Sequence, residues 1–470
     1  MREYRLSDAL WYCILVLGYL FSNYQLLDAV AFLFSNIPFF VDLAFSIIIK
    51  GYIEPLNVKD DVNRQGTLNQ FVLHQLLNHF LTDLGDPSKP VFSLVANPVW
   101  KRLFDFRAFI QAYRGVENCV YQEVTITEKD FVQSQTNDIT GEGKNLGQQR
   151  TGRIITDATG GGIWIRTSGK KHMRNDLVVL FFPDFSTLGA CPAFYLEYLM
   201  TMHGLFLLQG FANPAIFISK LPLVINSKKN CAEDEFPCQL KHAINAWNYV
   251  QNVTRSYPKY YFAGDGLGAS LCLSLLLFMA NPNYELLGLP DYEKVPLKKP
   301  FGLILVSPIL GFLNGNEDLA IDGSNGMDYM SLNFIKSLEK NYVGSYSCSA
   351  NDELLRPGLC TDLQTWYEAF PEAGILITWG KNELMAPEIE EFGKLLGKVG
   401  RVKLWQVDRK THSWPFMSFL TEDAQDEKED SVFIMSGIVS RLTLWQLSSY
   451  LQPDSGNSPM NLLTIDDNHL

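Results

Sequence analysis

The chain has 470 residues, 47% hydrophobic and 13% aromatic, which excludes general disorder and allows one large domain with additions or two to three small ones. Charged residues make up only 19%, and 39 basic against 51 acidic side chains leave a net charge of −12. With no basic stripe interleaved with aromatics, this balance argues against nucleic-acid binding.

The first informative region is the N-terminus. An apolar run from Leu10 to Phe21 follows Arg2 and Arg5, and a second run, Ala29 to Ile49, is interrupted by Asn36, Pro38 and Asp42. A bilayer span takes about 20 apolar residues. The first run is short of that and the second is broken. Residues 1–55 are therefore expected to form a signal anchor or a hairpin-like membrane attachment. A hydrophobic arm packed on the protein and a cleaved signal are the other readings, although no small-x-small cleavage site follows the first run. With Arg2 and Arg5 on the cytoplasmic side, a single span would carry the remainder into the lumen.

Residues 56–160 are mixed and are expected to form a helical, cap-contributing region. Apolar spacing predicts helices over 71–81 and 98–113, and the polar, glycine-containing stretch 133–147 reads as a loop or hairpin connection. From Gly162 the pattern changes to short apolar strands alternating with longer helices, the signature of a mostly parallel sheet flanked by helices. Strands are predicted at Ile163–Arg166, Leu177–Phe182, Gly204–Gln209, Tyr260–Phe262, Leu303–Val306, Ile375–Trp379 and Val402–Val407. Helices are predicted at Phe194–Met202, Leu240–Val253, Ala269–Met279, Pro387–Leu396 and Val432–Leu451. The α/β core is expected over 161–455, with an insertion at about 310–360 and a polar tail at 456–470.

Two cysteine pairs bracket polar loops, Cys231 with Cys238 and Cys348 with Cys360. Local pairs of this kind suit an oxidising compartment such as the endoplasmic reticulum lumen, with free thiols the equal alternative. Neither pair has histidines at zinc spacing, so no metal is expected, and no cofactor motif is present. The glycosylation acceptor Asn252-Val253-Thr254 falls inside a predicted helix and is expected to be unused.

The densest signal is Lys259-Tyr260-Tyr261-Phe262-Ala263-Gly264-Asp265-Gly266-Leu267-Gly268, a strand running into a glycine-framed turn and then an apolar helix. Turns of this form present a serine nucleophile at the tip, in the pattern G-x-S-x-G. Here the tip is Gly266, which tolerates the backbone but has no attacking atom. Ser270 and Ser274 lie one and two turns into the helix, with hydroxyls along its face. Asp265 reads as structural, with activation of a water beside His412 as the alternative.

Acid and base positions follow at strand ends in the order such chemistry uses. Strand Ile375–Trp379 leads to Gly380-Lys381-Asn382-Glu383, and strand Val402–Val407 leads to Thr411-His412-Ser413. Alone, either residue would more often be a surface carboxylate or a loop histidine. The loop after Leu177–Phe182, where backbone N–H groups would cradle an oxyanion, reads Pro183-Asp184-Phe185-Ser186. Proline has no N–H, and Asp184 would bring a carboxylate to a developing negative charge. Asp184, Phe185, Asp265 and Leu267 are thus the candidate pocket residues.

Over about residues 160–450 the chain resembles the hormone-sensitive-lipase branch of the α/β-hydrolase fold, and within it fungal membrane-anchored steryl acetyl hydrolases and related esterases. The residues that carry the resemblance are Gly264-Asp265 with Gly268, Ser307-Pro308 after Leu303–Val306, Gly380 with Glu383, and His412. It departs at Gly266, where the family has serine, and at Pro183-Asp184-Phe185, where it has H-G-G. The resemblance implies a cap after Ser307-Pro308 over a pocket for a sterol or fatty acyl group. The expected function is a membrane-anchored pseudohydrolase that binds a lipid or a protein partner. An active carboxylester hydrolase with another nucleophile and a structural subunit of a membrane complex are the alternatives.

Overall fold

The computed structural model describes residues 34–48, 119–126, 160–170, 173–186, 191–222, 235–254, 258–287, 297–311, 328–344, 353–421, 431–432 and 435–440, with single residues at 30, 75, 79, 105, 108 and 109. Eight strands form one sheet: β1 (Cys119–Thr125), β2 (Gly161–Thr167), β3 (Leu177–Phe182), β4 (Ala215–Lys220), β5 (Lys259–Asp265), β6 (Gly302–Val306), β7 (Gly374–Gly380) and β8 (Val402–Val407). Their order is β1-β2-β4-β3-β5-β6-β7-β8. The β1/β2 and β2/β4 pairs are antiparallel, and every pair from β4 through β3 and β5 to β8 is parallel. All residues of β3, β6 and β7 are buried. Continuous apolar runs of this kind are what a parallel sheet covered on both faces requires.

The described helices are α1 (Ile37–Ile48), α2 (Leu196–Leu208), α3 (Cys238–Thr254), α4 (Leu267–Ala280), α5 (Leu332–Val343), α6 (Leu363–Ala369), α7 (Ala386–Leu396) and α8 (Trp414–Thr421). Helix α4 packs on β3, β5 and β6, α3 on β3 and β4, and α7 on β7 and β8. In α4 every residue from Leu267 to Phe278 is buried, because it is apolar on all sides and lies inside the protein.

The strand predicted at Gly204–Gln209 is instead the last turn and a half of α2. A short apolar run cannot be told from a helix by periodicity. In the helix, Met202, His203 and Phe206 face the core while Leu208 is 84% exposed. The strand that fills this place in the sheet is β4, reached after Gly210 turns the chain. Edge strand β1 escapes the strand pattern because the adjacent polar residues Gln122 and Glu123 break its apolar alternation. Helices α5, α6 and α8 were also not anticipated.

The described part of the insertion after β6 contains α5, whose Phe334, Ile335, Leu338 and Tyr342 turn inward. Ser331 caps it, its hydroxyl accepting the Phe334 N–H at 3.2 Å. Ser331→Ala is expected to lower stability by about 1 kcal/mol, read by urea unfolding. An unchanged midpoint would show that the cap is dispensable.

Helix α1 has 12 residues, about 18 Å of length against a bilayer core of about 30 Å. No described helix is long and apolar enough to cross a membrane. The run Leu10–Phe21, the loop 133–147, Cys231, Cys348 and most of the predicted helices 71–81 and 98–113 lie outside the described residues, as does the predicted helix 432–451 beyond residue 440. Cys238 is buried at the start of α3, and Cys360 is a buried thiol before α6.

Candidate active site

Strand β5 delivers the chain to Gly266, which adopts φ 54° and ψ −119° before α4 begins. Any other residue would be strained at this positive φ. The turn is held by the Gly266 N–H donating to Val306 O at 3.0 Å and by the Ser270 N–H donating to Gly266 O at 3.2 Å. The flanking glycines allow backbones to touch: a Cβ on Gly268 would lie 2.2 Å from Phe182 O, and one on Gly264 would lie 2.5 Å from Gly268 C. Ser270 Oγ donates to the carbonyls of Gly266 and Ile309, and Ser274 Oγ to that of Ser270. Both hydroxyls are committed to backbone and neither reaches the tip as a nucleophile would.

The ends of β7 and β8 bring Glu383 and His412 together, both buried, with Nδ1 and Oε2 3.5 Å apart. Glu383 Oε1 is fixed from two other directions, by the Gly380 N–H and by Ser307 Oγ at 2.6 Å. Ser307 Oγ in turn accepts the Ser413 N–H at 3.0 Å. Ser307 and Ser413 have φ of 46° and 56°. Non-glycine residues in this strained region occur where surrounding contacts over-determine the backbone. Asp328, from the insertion, spans both loops: Oδ2 accepts the Leu384 N–H at 2.8 Å and Oδ1 the His412 N–H at 3.4 Å. His412 Nε2 is buried with no hydrogen-bond partner among the described residues.

The turn and the histidine loop are joined through Asp265. Its Oδ1 accepts from Ser413 Oγ at 2.7 Å and its Oδ2 from Tyr195 Oη at 2.8 Å. Tyr195 Oη also accepts the Asp184 N–H at 3.0 Å. The N–H that remained to the altered loop at Asp184 is therefore already spent. The Asp184 carboxylate points into the turn, where Leu267 N–H donates to Oδ1 at 3.4 Å. Phe185 is buried with its ring 5.7 Å from that of Tyr342 in α5.

Three carboxyl groups, Glu383, Asp265 and Asp328, thus act on one buried imidazole, with Asp184 beside Asp265. Burial works against a charged His412, but contact with Glu383, followed by the fields of Asp265 and Asp328, outweighs it and pushes the ring up to about 9. Burial pushes Asp265 up to about 7; the field of Asp184 adds to this, and His412, Ser413 and Tyr195 oppose it. Asp328 is pushed up to about 6, by burial first and then Glu383, against His412 and the backbone donors. Chemically the cluster can hold and pass a proton at His412. It presents no attacking atom at Gly266.

The expected residues Asp184, Asp265, Gly266, Leu267, Glu383 and His412 therefore form one connected cluster, with Phe185 beside it. Tyr195, Ser186, Ser307, Asp328 and Ser413, which hold it together, were not assigned site positions from sequence. Ser307-Pro308 and the stretch around Asp328 were visible as local features, but nothing local indicated that they touch Glu383 and His412. A cleft of about 290 Å³ lined by Glu123, Gly161, Lys220 and His242 shares no residue with this cluster.

Comparison with known proteins agrees with this architecture. An esterase from the hyperthermophilic archaeon Pyrobaculum calidifontis superimposes with a TM-score of 0.52 at 14% identity, covering 80% of this chain and 98% of that one. Its likeness establishes the α/β-hydrolase fold. An esterase from the fungus Rhizomucor miehei (TM-score 0.49, 12% identity, 74% and 98% covered) is also similar. So is brefeldin A esterase, a bacterial homologue of human hormone-sensitive lipase (0.49, 10%, 72% and 85%). No curated protein matches the chain. The family described as steryl acetyl hydrolase matches residues 109–411, more than half of the sequence. The chain belongs to the steryl acetyl hydrolase family.

Proposed function

We propose that this family member is a membrane-attached pseudohydrolase, which binds an apolar lipid or sterol-like ligand, or a protein partner, without cleaving esters. The observation that carries the reading is Gly266: the acid and base stand in place, and the tip of the turn has only a hydrogen. A hydrolase stripped of its nucleophile keeps at most the residual catalysis of binding and oxyanion donors. The family's steryl ester chemistry and the insertion packed against the loop after β3 support an apolar ligand.

Membrane attachment draws on the N-terminal apolar runs and on α1. Phe34 (66% exposed), Ile37, Phe40, Val41 and Phe45 (61% exposed) turn away from the described protein at helical spacing. Apolar faces of this kind settle into the lipid interface. The proposed location is the endoplasmic reticulum membrane with the main domain in the lumen, supported by Arg2 and Arg5 ahead of the first apolar run. Protease protection in intact microsomes tests that topology, and digestion without detergent would overturn it.

The function is tested on the full chain extracted in detergent, with a fluorophosphonate probe and radiolabelled cholesteryl acetate. The expected result is no labelling, and acetate ester that binds and is recovered intact. Stoichiometric labelling, or acetate release abolished by His412→Ala, would overturn the pseudohydrolase reading.

A further inference from the structure

We propose that the chain carries an assembled oxyanion receptor filled by its own Asp184 carboxylate, so that two residues, Gly266 and Asp184, keep the site silent. This deepens the pseudohydrolase reading of the same site and rests on that reading only for the esterase measurements below.

Three donors converge on one oxygen. Asp184 Oδ1 receives the Ser186 N–H at 3.1 Å, the Ser186 hydroxyl at 2.7 Å and the Leu267 N–H at 3.4 Å. Convergent donors around a single buried oxygen are the construction that stabilises the oxyanion of a tetrahedral intermediate. The carboxylate also fills the volume of the absent side chain: a Cβ at position 266 would lie 2.8 Å from Asp184 Cγ and 3.1 Å from each carboxylate oxygen. Asp184 is fully buried, so these donors stand in for the water that would otherwise solvate it. Its backbone is pinned as well, through Tyr195 to Asp265.

A substrate oxyanion would need the same Leu267 N–H, and a second negative oxygen beside the first would be repelled. Serine at 266 alone would press its side chain against Asp184. Removing the carboxylate opens the receptor and clears that space together.

The first experiment uses Asp184→Gly with sodium formate as the probe and sodium chloride as the ionic-strength control. Formate at about a hundredfold excess over its Kd is expected to raise the Tm of the variant by at least about 2 °C, with no specific effect on the parent. An equal response in both proteins would overturn the proposal. The second compares Gly266→Ser with the Asp184→Gly/Gly266→Ser pair, using the fluorophosphonate probe and p-nitrophenyl acetate. The single variant is expected to be inert and the pair to react at least about a hundredfold faster, the scale of an oxyanion-hole donor. A single variant as reactive as the pair would overturn it.

Should glycine at 184 unfold the loop, Asp184→Asn keeps the shape without the charge. Asp265, at about 7 in the parent, is then expected to titrate lower by carboxyl carbon NMR, and an unchanged value would count against a charged Asp184 beside it. If the unmodified chain itself hydrolyses ester, the pseudohydrolase reading fails while the formate measurement still decides receptor occupancy.

Discussion

Glu383→Ala is expected to lower the unfolding free energy by about 3–5 kcal/mol, the scale of breaking a buried ion pair from one side. Three groups lose their partner together: the Gly380 N–H, the Ser307 hydroxyl and the His412 imidazole. Ser307 also accepts from Ser413, so the loss spreads into the histidine loop. With its main opposing partner gone, burial dominates at His412, and its titration falls from about 9 toward its ordinary value. Urea unfolding and histidine NMR read the two effects. A loss below about 1 kcal/mol, the scale of an exposed pair, would show that Glu383 does not hold the loops. The glutamine variant separates the two: it can retain the Gly380 and Ser307 contacts at its amide oxygen while removing the charge, so it should recover part of the stability and none of the histidine shift.

The second large effect is on pH. Stability is expected to fall as pH rises from about 4 to about 9, because the folded protein is the better proton binder at His412, Asp265, Asp328 and Glu388, and these outweigh buried His203, which is held down at about 4 and opposes the fall below 6.5. His412 is raised above its ordinary 6.5, so its contribution is complete below 6.5 and is lost as pH climbs through about 9. Asp265 and Asp328 are raised above 3.8, so their contribution is complete below 3.8 and is lost as pH rises, to about 6 for Asp328 and about 7 for Asp265. His412 alone corresponds to about 3 kcal/mol at most across its window. Urea midpoints measured across this range should decline in the parent, and His412→Gln should flatten the decline above pH 6.5. A parent whose midpoints rise between pH 7 and 9, or a variant with an unchanged slope, would show that His412 is not held charged by Glu383.

Local chemistry made much of this molecule legible in advance. Strands Leu177–Phe182 and Val402–Val407 have the bounds read from sequence, since a short β-rich apolar run between turn residues has few alternatives. The glycine frame around Gly266 is equally local, because each glycine answers to a contact within the turn or to the strand beside it. The apolar run Gly204–Gln209 failed for the opposite reason: six residues carry too little periodicity, and packing of Met202, His203 and Phe206 decided for helix.

The α/β order of the core, the tight turn at Gly266 and the lack of an attacking atom there were legible along the chain. These depend on residue type and near neighbours. What occupies the empty tip depends on long-range packing. Leu267 and Asp184 are 83 positions apart, and Leu384 and Asp328 are 56 apart. Nothing in either segment alone encodes the meeting, which is set by β3 lying beside β5 and by the insertion folding back over the ends of β7 and β8. Sequence placed a carboxylate on the loop after β3; packing brought it to the position that serine would have taken.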